Sequence, residues 1–205
     1  MRVAIVGGTG AFGRGLATRL RAAGDEVVVG SRDADRARAT AEELGVAGAD
    51  NSEAVREADL VVLATKAEAA VTTAEELADA LGQTPLLCVA SALQVDRSGA
   101  RPVVSAESIA ERVARAVRAP VAAGLHSIAA ANLGAEAPDE DALVCGDDER
   151  AKELALELAG KLVAGRALDA GPLACARALE ATTAVIVNLN RRYRARTGLR
   201  VTGLT

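Results

Sequence analysis

The sequence predicts an α/β protein: a doubly wound parallel sheet followed by a small C-terminal α/β region. Three observations lead there. Short β-branched runs alternate with Ala-, Leu-, Glu- and Arg-rich stretches of helical length. Several of the runs are apolar throughout, as strands covered on both faces must be. The connections are short, and a glycine-rich stretch, GGTGAFGRG, lies between the first strand and the first helix.

The elements follow in order. VAIV (3–6) is a strand, and residues 11–23 are a helix stopped by Gly24. EVVVG (26–30) is the second strand, and the helix over 33–44 ends at Gly45, where a left-handed cap suits glycine. A short helix starts at NSEA, with Asn51 or Ser52 able to cap it. ADLVVLAT (58–65) and PLLCVAS (85–91) are buried strands on either side of a helix over 67–81. SALQVDRSGARPV (91–103) is a Gly/Pro/polar connection. A helix over 105–118, the strand PVAAGLH (120–126) and the polar loop GAEAPDED (134–141) come next. ALVCGDD (142–148) is a strand entering a helix over 149–163; RALDAGPL (166–173) is a short strand and turn; the last helix runs over 173–197. The polar loop divides the chain into residues 1–140 and 141–205.

Composition excludes several functions. The chain of 205 residues has one Phe, one Tyr and no Trp, so stacking on nucleic-acid bases has no rings to use. Its formal net charge of −4 leaves no broad basic face, and nucleic acid is not an expected partner. Cys88, Cys145 and Cys175 are widely spaced, and with a single histidine they make no metal-ligand set; they read as buried thiols in a reducing compartment. No segment reaches the ~18 apolar residues of a membrane span. MRVAIV enters a strand pattern at once, which leaves no room for a signal peptide and predicts a cytoplasmic protein.

Gly8, Gly10 and Gly13 form G-x-G-x-x-G between strand and helix, the dinucleotide-binding arrangement of a Rossmann-type sheet. The first glycine is expected at the tight turn, the second where a pyrophosphate approaches the backbone, and the third where helix packs on strand. The helix N-terminus offers its free N–H groups to the phosphates, and Thr9 adds a hydroxyl. The second strand selects the nucleotide. NAD enzymes end it with a carboxylate for the ribose 2′-hydroxyl. Here Ser31 and Arg32 stand in that place, and Arg36 follows one helical turn later. A guanidinium suits a phosphate, so the sequence predicts NADP(H). Arg36 also fits a solvated helix face, and Arg38 reads as simply exposed. Asp33 and Asp35 read as helix N-terminal acids.

MRVAIVGGTGAFGRGLATRL, EVVVGSR, VAAGLHSIAAANL, VCGDD and LDAGPLACARALE, in this order and at this spacing, resemble the NADPH-dependent coenzyme F420 reductases over nearly the whole chain. The resemblance implies hydride transfer between the nicotinamide of NADP(H) and the deazaflavin F420, which serves as co-substrate. It implies a Rossmann domain (1–140) with a small C-terminal domain (141–205) closing a cleft, and a homodimer or higher homo-oligomer. It places Gly8, Thr9, Gly10, Gly13, Ser31, Arg32, Arg36, Ala64 and Thr65 on NADP. His126 and Ile128 fall beside the deazaflavin, and Gly171, Pro172 and Leu173 on the opposite wall. From the residues alone a lone histidine after an apolar strand fits a structural role as well. No other catalytic group is implied, because both reactants carry the reactivity.

The chain also departs from that family. Lys66 and Ala67 replace the usual Pro-Trp, and Gln94, Asp96 and Arg97 give a different polar edge after the strand at 85–91. Two other functions therefore stay open. One is an NADPH-dependent reductase of an imine or carbonyl compound, with His126, Lys66 or Tyr193 as proton donor. The other is a non-catalytic NADP-binding regulator. Arg191, Arg192, Arg194 and Arg196 end the last helix; they read as solvated or as lying near an anionic ligand.

Overall fold

The computed structural model describes every residue except 135, which lies in the predicted polar loop, and 205. Along the chain run β1 (Arg2–Val6), α1 (Ala11–Ala22), β2 (Glu26–Ser31), α2 (Ala34–Leu44), β3 (Ala47–Asp50), α3 (Asn51–Ala54), β4 (Leu60–Leu63), α4 (Ala67–Leu81) and β5 (Leu86–Cys88). There follow β6 (Leu93–Asp96), β7 (Gly99–Pro102), α5 (Ile109–Ala116), β8 (Val121–Gly124), β9 (Ala142–Gly146), α6 (Glu149–Leu162), β10 (Ala167–Asp169) and α7 (Ala176–Tyr193).

Eight strands form one sheet in the order β10-β9-β8-β5-β4-β1-β2-β3. Side-chain alternation sends successive residues to opposite faces. Thus Val3 and Ile5 of β1 join a core with Leu16 and Leu20 of α1 and Leu158 and Leu162 of α6. Ala4 and Val6 join the other core, with Ala74 and Leu77 of α4 and Val113 of α5. The prediction of a doubly wound sheet holds, with one difference: β9 runs antiparallel to β8. Among the described residues no α-helix lies between these two strands. After β8 the chain turns back through a 3₁₀ turn (Ala130–Asn132), and β9 enters the sheet at the end where β8 leaves it. The C-terminal strands β9 and β10 extend the same sheet.

Other boundaries shift for identifiable reasons. α5 starts at Ile109 rather than 105, because Ser108 and Glu111 form a reciprocal capping box. α7 starts after a 3₁₀ turn (Leu173–Cys175) and stops at Tyr193, where Arg194 turns left-handed. Three strands were not expected. β3 is an edge strand of small residues, AGAD; a side chain at Gly48 would strike the Ala37 carbonyl, so glycine lets α2 press on this edge. The polar stretch after β5 is a two-stranded hairpin, β6–β7. Of the three thiols, Cys88 and Cys145 are buried as expected, while Cys175 is partly exposed.

Candidate functional site

The loop after β1 lies at the carboxyl ends of the strands, beside the switch point between β1 and β4 where ligands bind in open sheets. Its glycines have separate duties. The tight turn falls on Gly7, at φ 80°, and not on Gly8 as the spacing suggested. A Cβ on Gly8 would stand 2.8 Å from the Ile5 carbonyl, so this glycine serves close packing. A Cβ on Gly13 would stand 2.6 Å from the Gly8 Cα, which is how α1 presses against the loop. A Cβ on Gly10 meets only the Gly7 carbonyl, at an ordinary 3.5 Å. Packing within the chain does not require glycine there; a pyrophosphate laid on the loop does. No side chain caps α1 and its first turn holds no acid, so its leading N–H groups and dipole remain available to an anion.

At the end of β2, the Ser31 hydroxyl accepts the Asp33 amide at 3.2 Å and fixes the turn. Arg32 is exposed and lines a cavity of about 180 Å³ with Asp50, Asn51, Ser52, Glu76 and Leu77. Arg36 is exposed but does not line it. Asp33 caps α2 by accepting the Arg36 amide and Asp35 lies in its first turn, the N-terminal acids the sequence indicated; Arg38 is exposed and pairs with Asp35. Asn51 was not anticipated on this side. It is buried with its Oδ1 unpartnered, beside Gly30.

On the other side of the glycine loop is a cavity of about 350 Å³. The strand ends bring Ala64, Thr65, Lys66 and Ala67 to it from β4, Ser91 from β5, and His126 and Ile128 from β8. Phe12 of α1 and Thr183 and Val187 of α7 close it. His126 is 6% exposed, and neither ring nitrogen makes a hydrogen bond of good geometry, the Ala90 backbone being the polar group that acts on the ring. Burial pushes its pKa from 6.5 down to about 4, against a smaller opposing effect of the Ala90 backbone, so the imidazole is neutral at physiological pH. The Thr65 hydroxyl is also buried without a partner. Unpaired buried polar atoms are costly, and two such groups in one cavity offer hydrogen-bonding positions to a ligand or to water.

The backbone here is held in an uncommon shape. Leu125, buried and non-glycine, sits at φ 67°. Its amide donates to the Leu143 carbonyl and its carbonyl accepts the Ile128 amide, and this turn carries His126 and Ile128 to the cavity. Thr183 then anchors the turn. Its hydroxyl donates to the His126 carbonyl at 2.8 Å, so the Ser91 hydroxyl, 2.7 Å away, is the donor to Thr183. Ser91 and Thr183 escaped the sequence reading; small hydroxyls in an apolar strand end and helix give no local signal.

Gly171, Pro172 and Leu173 do not line this cavity. They interlock with the CGDD segment. Gly146 donates to the Gly171 carbonyl, Asp147 accepts the Leu173 amide at 2.9 Å, and Asp169 accepts the Gly171 amide at 2.8 Å. Asp148 caps α6 by accepting the Ala151 amide. These paired segments set where α7 begins. The basic end of α7 is also apart from the cavity. Arg191 donates to the carbonyls of Asp96 and Arg97 at the hairpin turn, and Asn188 pairs with both backbone polar groups of Ala100. Together they strap the β6–β7 hairpin to α7. Tyr193, 68% exposed, lines no part of the cavity, which removes it as a proton donor there.

The residues present fit a dinucleotide: an open face at Gly10, an uncapped helix start, and a free guanidinium beyond β2. Known proteins give the same direction. A family model described as NADP oxidoreductase, coenzyme F420-dependent, matches residues 2–91. The F420-dependent NADP reductase of Methanothermobacter thermautotrophicus is 37% identical, over all of this chain and 96% of its own. That of Methanocaldococcus jannaschii is 32% identical, over all of this chain and 99% of its own. A crystal structure of a candidate F420-dependent NADP-reductase from an Arthrobacter species superposes with a TM-score of 0.83 at 26% identity, covering 98% of this chain and 99% of that one. A pyrroline-5-carboxylate reductase from Coxiella burnetii shares the fold at 18% identity and a TM-score of 0.57, over 81% of this chain and 58% of that one.

Proposed function

The chain belongs to the family of F420-dependent NADP oxidoreductases, and from that premise we propose how its residues divide the work. The protein is an oxidoreductase that transfers a hydride between NADP(H) and the deazaflavin coenzyme F420. The observation that carries the assignment of places is the pairing of two spaces on either side of one loop. The glycine loop and the Arg32 pocket lie on the β2 side, and the His126 cavity lies on the β4–β8 side.

In this reading Gly8, Thr9, Gly10 and Gly13 receive the pyrophosphate, with the first amides of α1 as donors. Ser31 and Arg32 hold the 2′-phosphate, with Arg36 a turn away. Ala64 and Thr65 flank the nicotinamide end. His126 and Ile128 border the acceptor ring; neutral His126 offers one N–H donor and one acceptor nitrogen, and adds no charge to a hydride path. When both coenzymes are bound they supply the redox chemistry, and the protein contributes orientation and exclusion of water. Gly171, Pro172 and Leu173 act at one remove, by fixing the start of α7. We also propose a cytoplasmic homodimer. Val185, Leu189 and Tyr193 form an exposed apolar stripe on α7 suited to a second copy. Within the described residues no helix is long and apolar enough to cross a membrane.

The test is direct. Purified protein with NADPH should bleach the deazaflavin band of oxidised F420, and NADH should do so far less well. Binding of NADPH without bleaching would favour a different acceptor or a regulator. Reduction of an imine or carbonyl compound in its place would single out the first of these.

A further inference from the structure

Beyond the His126 cavity, toward α5, lies a second cavity of about 370 Å³. Lys66, Ala67, Ser91 and Leu93 line both, so the two are continuous. The far part is bounded by Ile109 and Arg112 of α5 and by Val103. Among the described residues neither Lys66 nor Arg112 has an ion-pair partner. The nearby acids are mostly engaged. Glu107 is held by Arg115, and Glu180 accepts the Ala110 amide. Arg112 acts on Glu180 only at a distance, slightly offsetting the upward pull of burial on that carboxyl. Glu68, on the exposed first turn of α4, is the one acid in the lining. Two cations from different elements thus share one space that opens from the proposed acceptor cavity.

Their position separates them from the 2′-phosphate of the nucleotide. Arg32 follows β2 and Lys66 follows β4, with β1 between. Two strand spacings, roughly 10 Å, place them on opposite sides of the glycine loop. A phosphate beside Lys66 and Arg112 is therefore not the 2′-phosphate held at Arg32.

We infer that this annex receives the anionic side chain of the acceptor, its phosphodiester and carboxylates, while the ring occupies the His126 cavity. The inference rests on the reading of F420 as acceptor. Lys66 stands at the junction of ring and side chain, and Arg112 further along. Both are at the rim, so their contribution is to capture and orientation and falls with ionic strength.

The experiment compares F420 with its nucleoside core, which has the same ring but neither phosphate nor glutamates. KM for each is measured at saturating NADPH and at several salt concentrations, in the native protein and in the Arg112→Ala, Arg112→Lys and Lys66→Ala/Arg112→Ala variants. In the double variant the ratio of KM for F420 to KM for the core should rise about tenfold, as for loss of two charge-assisted contacts at a solvated rim. The salt dependence of KM for F420 should flatten, and Arg112→Lys should recover part of the loss. An unchanged ratio, with both acceptors still reduced, would overturn the annex and leave the activity standing. Reduction of neither acceptor by the native protein would overturn the activity, and the annex with it.

Discussion

The glycine loop and the His126 cavity lie side by side at one end of the same sheet, yet they are built in opposite ways. The loop is local: Gly7 to Gly13 make it, and at Gly7, Gly8 and Gly13 a Cβ would stand 2.6 to 3.1 Å from backbone atoms, which leaves no room for a side chain. The cavity is assembled. It takes residues from the ends of β4, β5 and β8, from α1 and from α7. Its shape depends on a left-handed leucine and on a chain of two hydroxyls. A local device keeps its ligand while the rest of a protein changes. An assembled one is retuned by changing any of its contributors.

The contrast can be broken first on the loop. Gly13→Val forces a side chain into the Gly8 backbone; overpacking of this kind costs about 1–3 kcal/mol of stability, and the displaced loop should separately lose NADPH affinity on the order of 100-fold. Equilibrium binding and thermal unfolding measure both consequences. An affinity within twofold of native would mean that α1 need not press on the loop.

A comparable effect belongs to the cavity and appears with pH. The folded-state pKa of His126 is depressed from 6.5 to about 4. Between these values the unfolded chain binds the proton more readily, so the stability gained by keeping the ring neutral is complete above about pH 6.5. It is lost progressively as pH falls toward 4, for a total of about 3 kcal/mol at 1.36 kcal/mol per unit. Glu140 and Glu180, whose carboxyls burial pushes up, change stability in the opposite sense in the acid range. The measure is therefore the difference between native protein and His126→Gln in denaturant titrations at pH 7 and pH 4. The variant should lose the step, and equal slopes would count against a buried neutral imidazole.

Arg32→Ala sharpens the nucleotide side. Loss of a charge-assisted bond should weaken NADPH by about 2 kcal/mol, some 30-fold, and leave NADH unchanged. Equal weakening of both would place Arg32 away from the 2′-phosphate. The smallest effect is expected from Thr183→Val, which cuts the Ser91–Thr183–His126 chain at a cost of about 1 kcal/mol. It should lower turnover with F420 several-fold while NADPH affinity holds, since the change lies wholly in the assembled half. A weaker NADPH complex with normal turnover would contradict the division.

The same difference decides what the sequence discloses. Gly8, Gly10, Gly13, Ser31 and Arg32 lie within 25 residues, and each answers to a local geometric demand. The strands β1, β2, β4 and β5 announce themselves by apolar content. β3 does not, because AGAD contains no branched or large residue; its strand character comes from pairing with β2. The β6–β7 hairpin contains Pro102 and exposed polar residues, and it is stabilised by Asn188 and Arg191 from 88 and 95 residues away. Leu125 adopts φ 67° without a glycine to signal it. Thr183 reaches His126 across 57 residues. The LDAGPL segment illustrates the reverse case: a recognisable motif, expected on the cleft wall, whose residues hold strand and helix ends together. Short-range chemistry is visible in a string of residues, whereas tertiary hydrogen bonds appear only once the fold brings their partners together.

The central claim is that both halves form one site in which a hydride passes directly from nicotinamide to deazaflavin. The measurement that tests it is a single turnover with NADPH carrying deuterium at one or the other face of C4. The account predicts that one of the two labelled forms delivers its deuterium to C5 of the reduced deazaflavin, with a primary isotope effect and no loss to water. Deuterium appearing in solvent, or delivered equally from both faces, would contradict it.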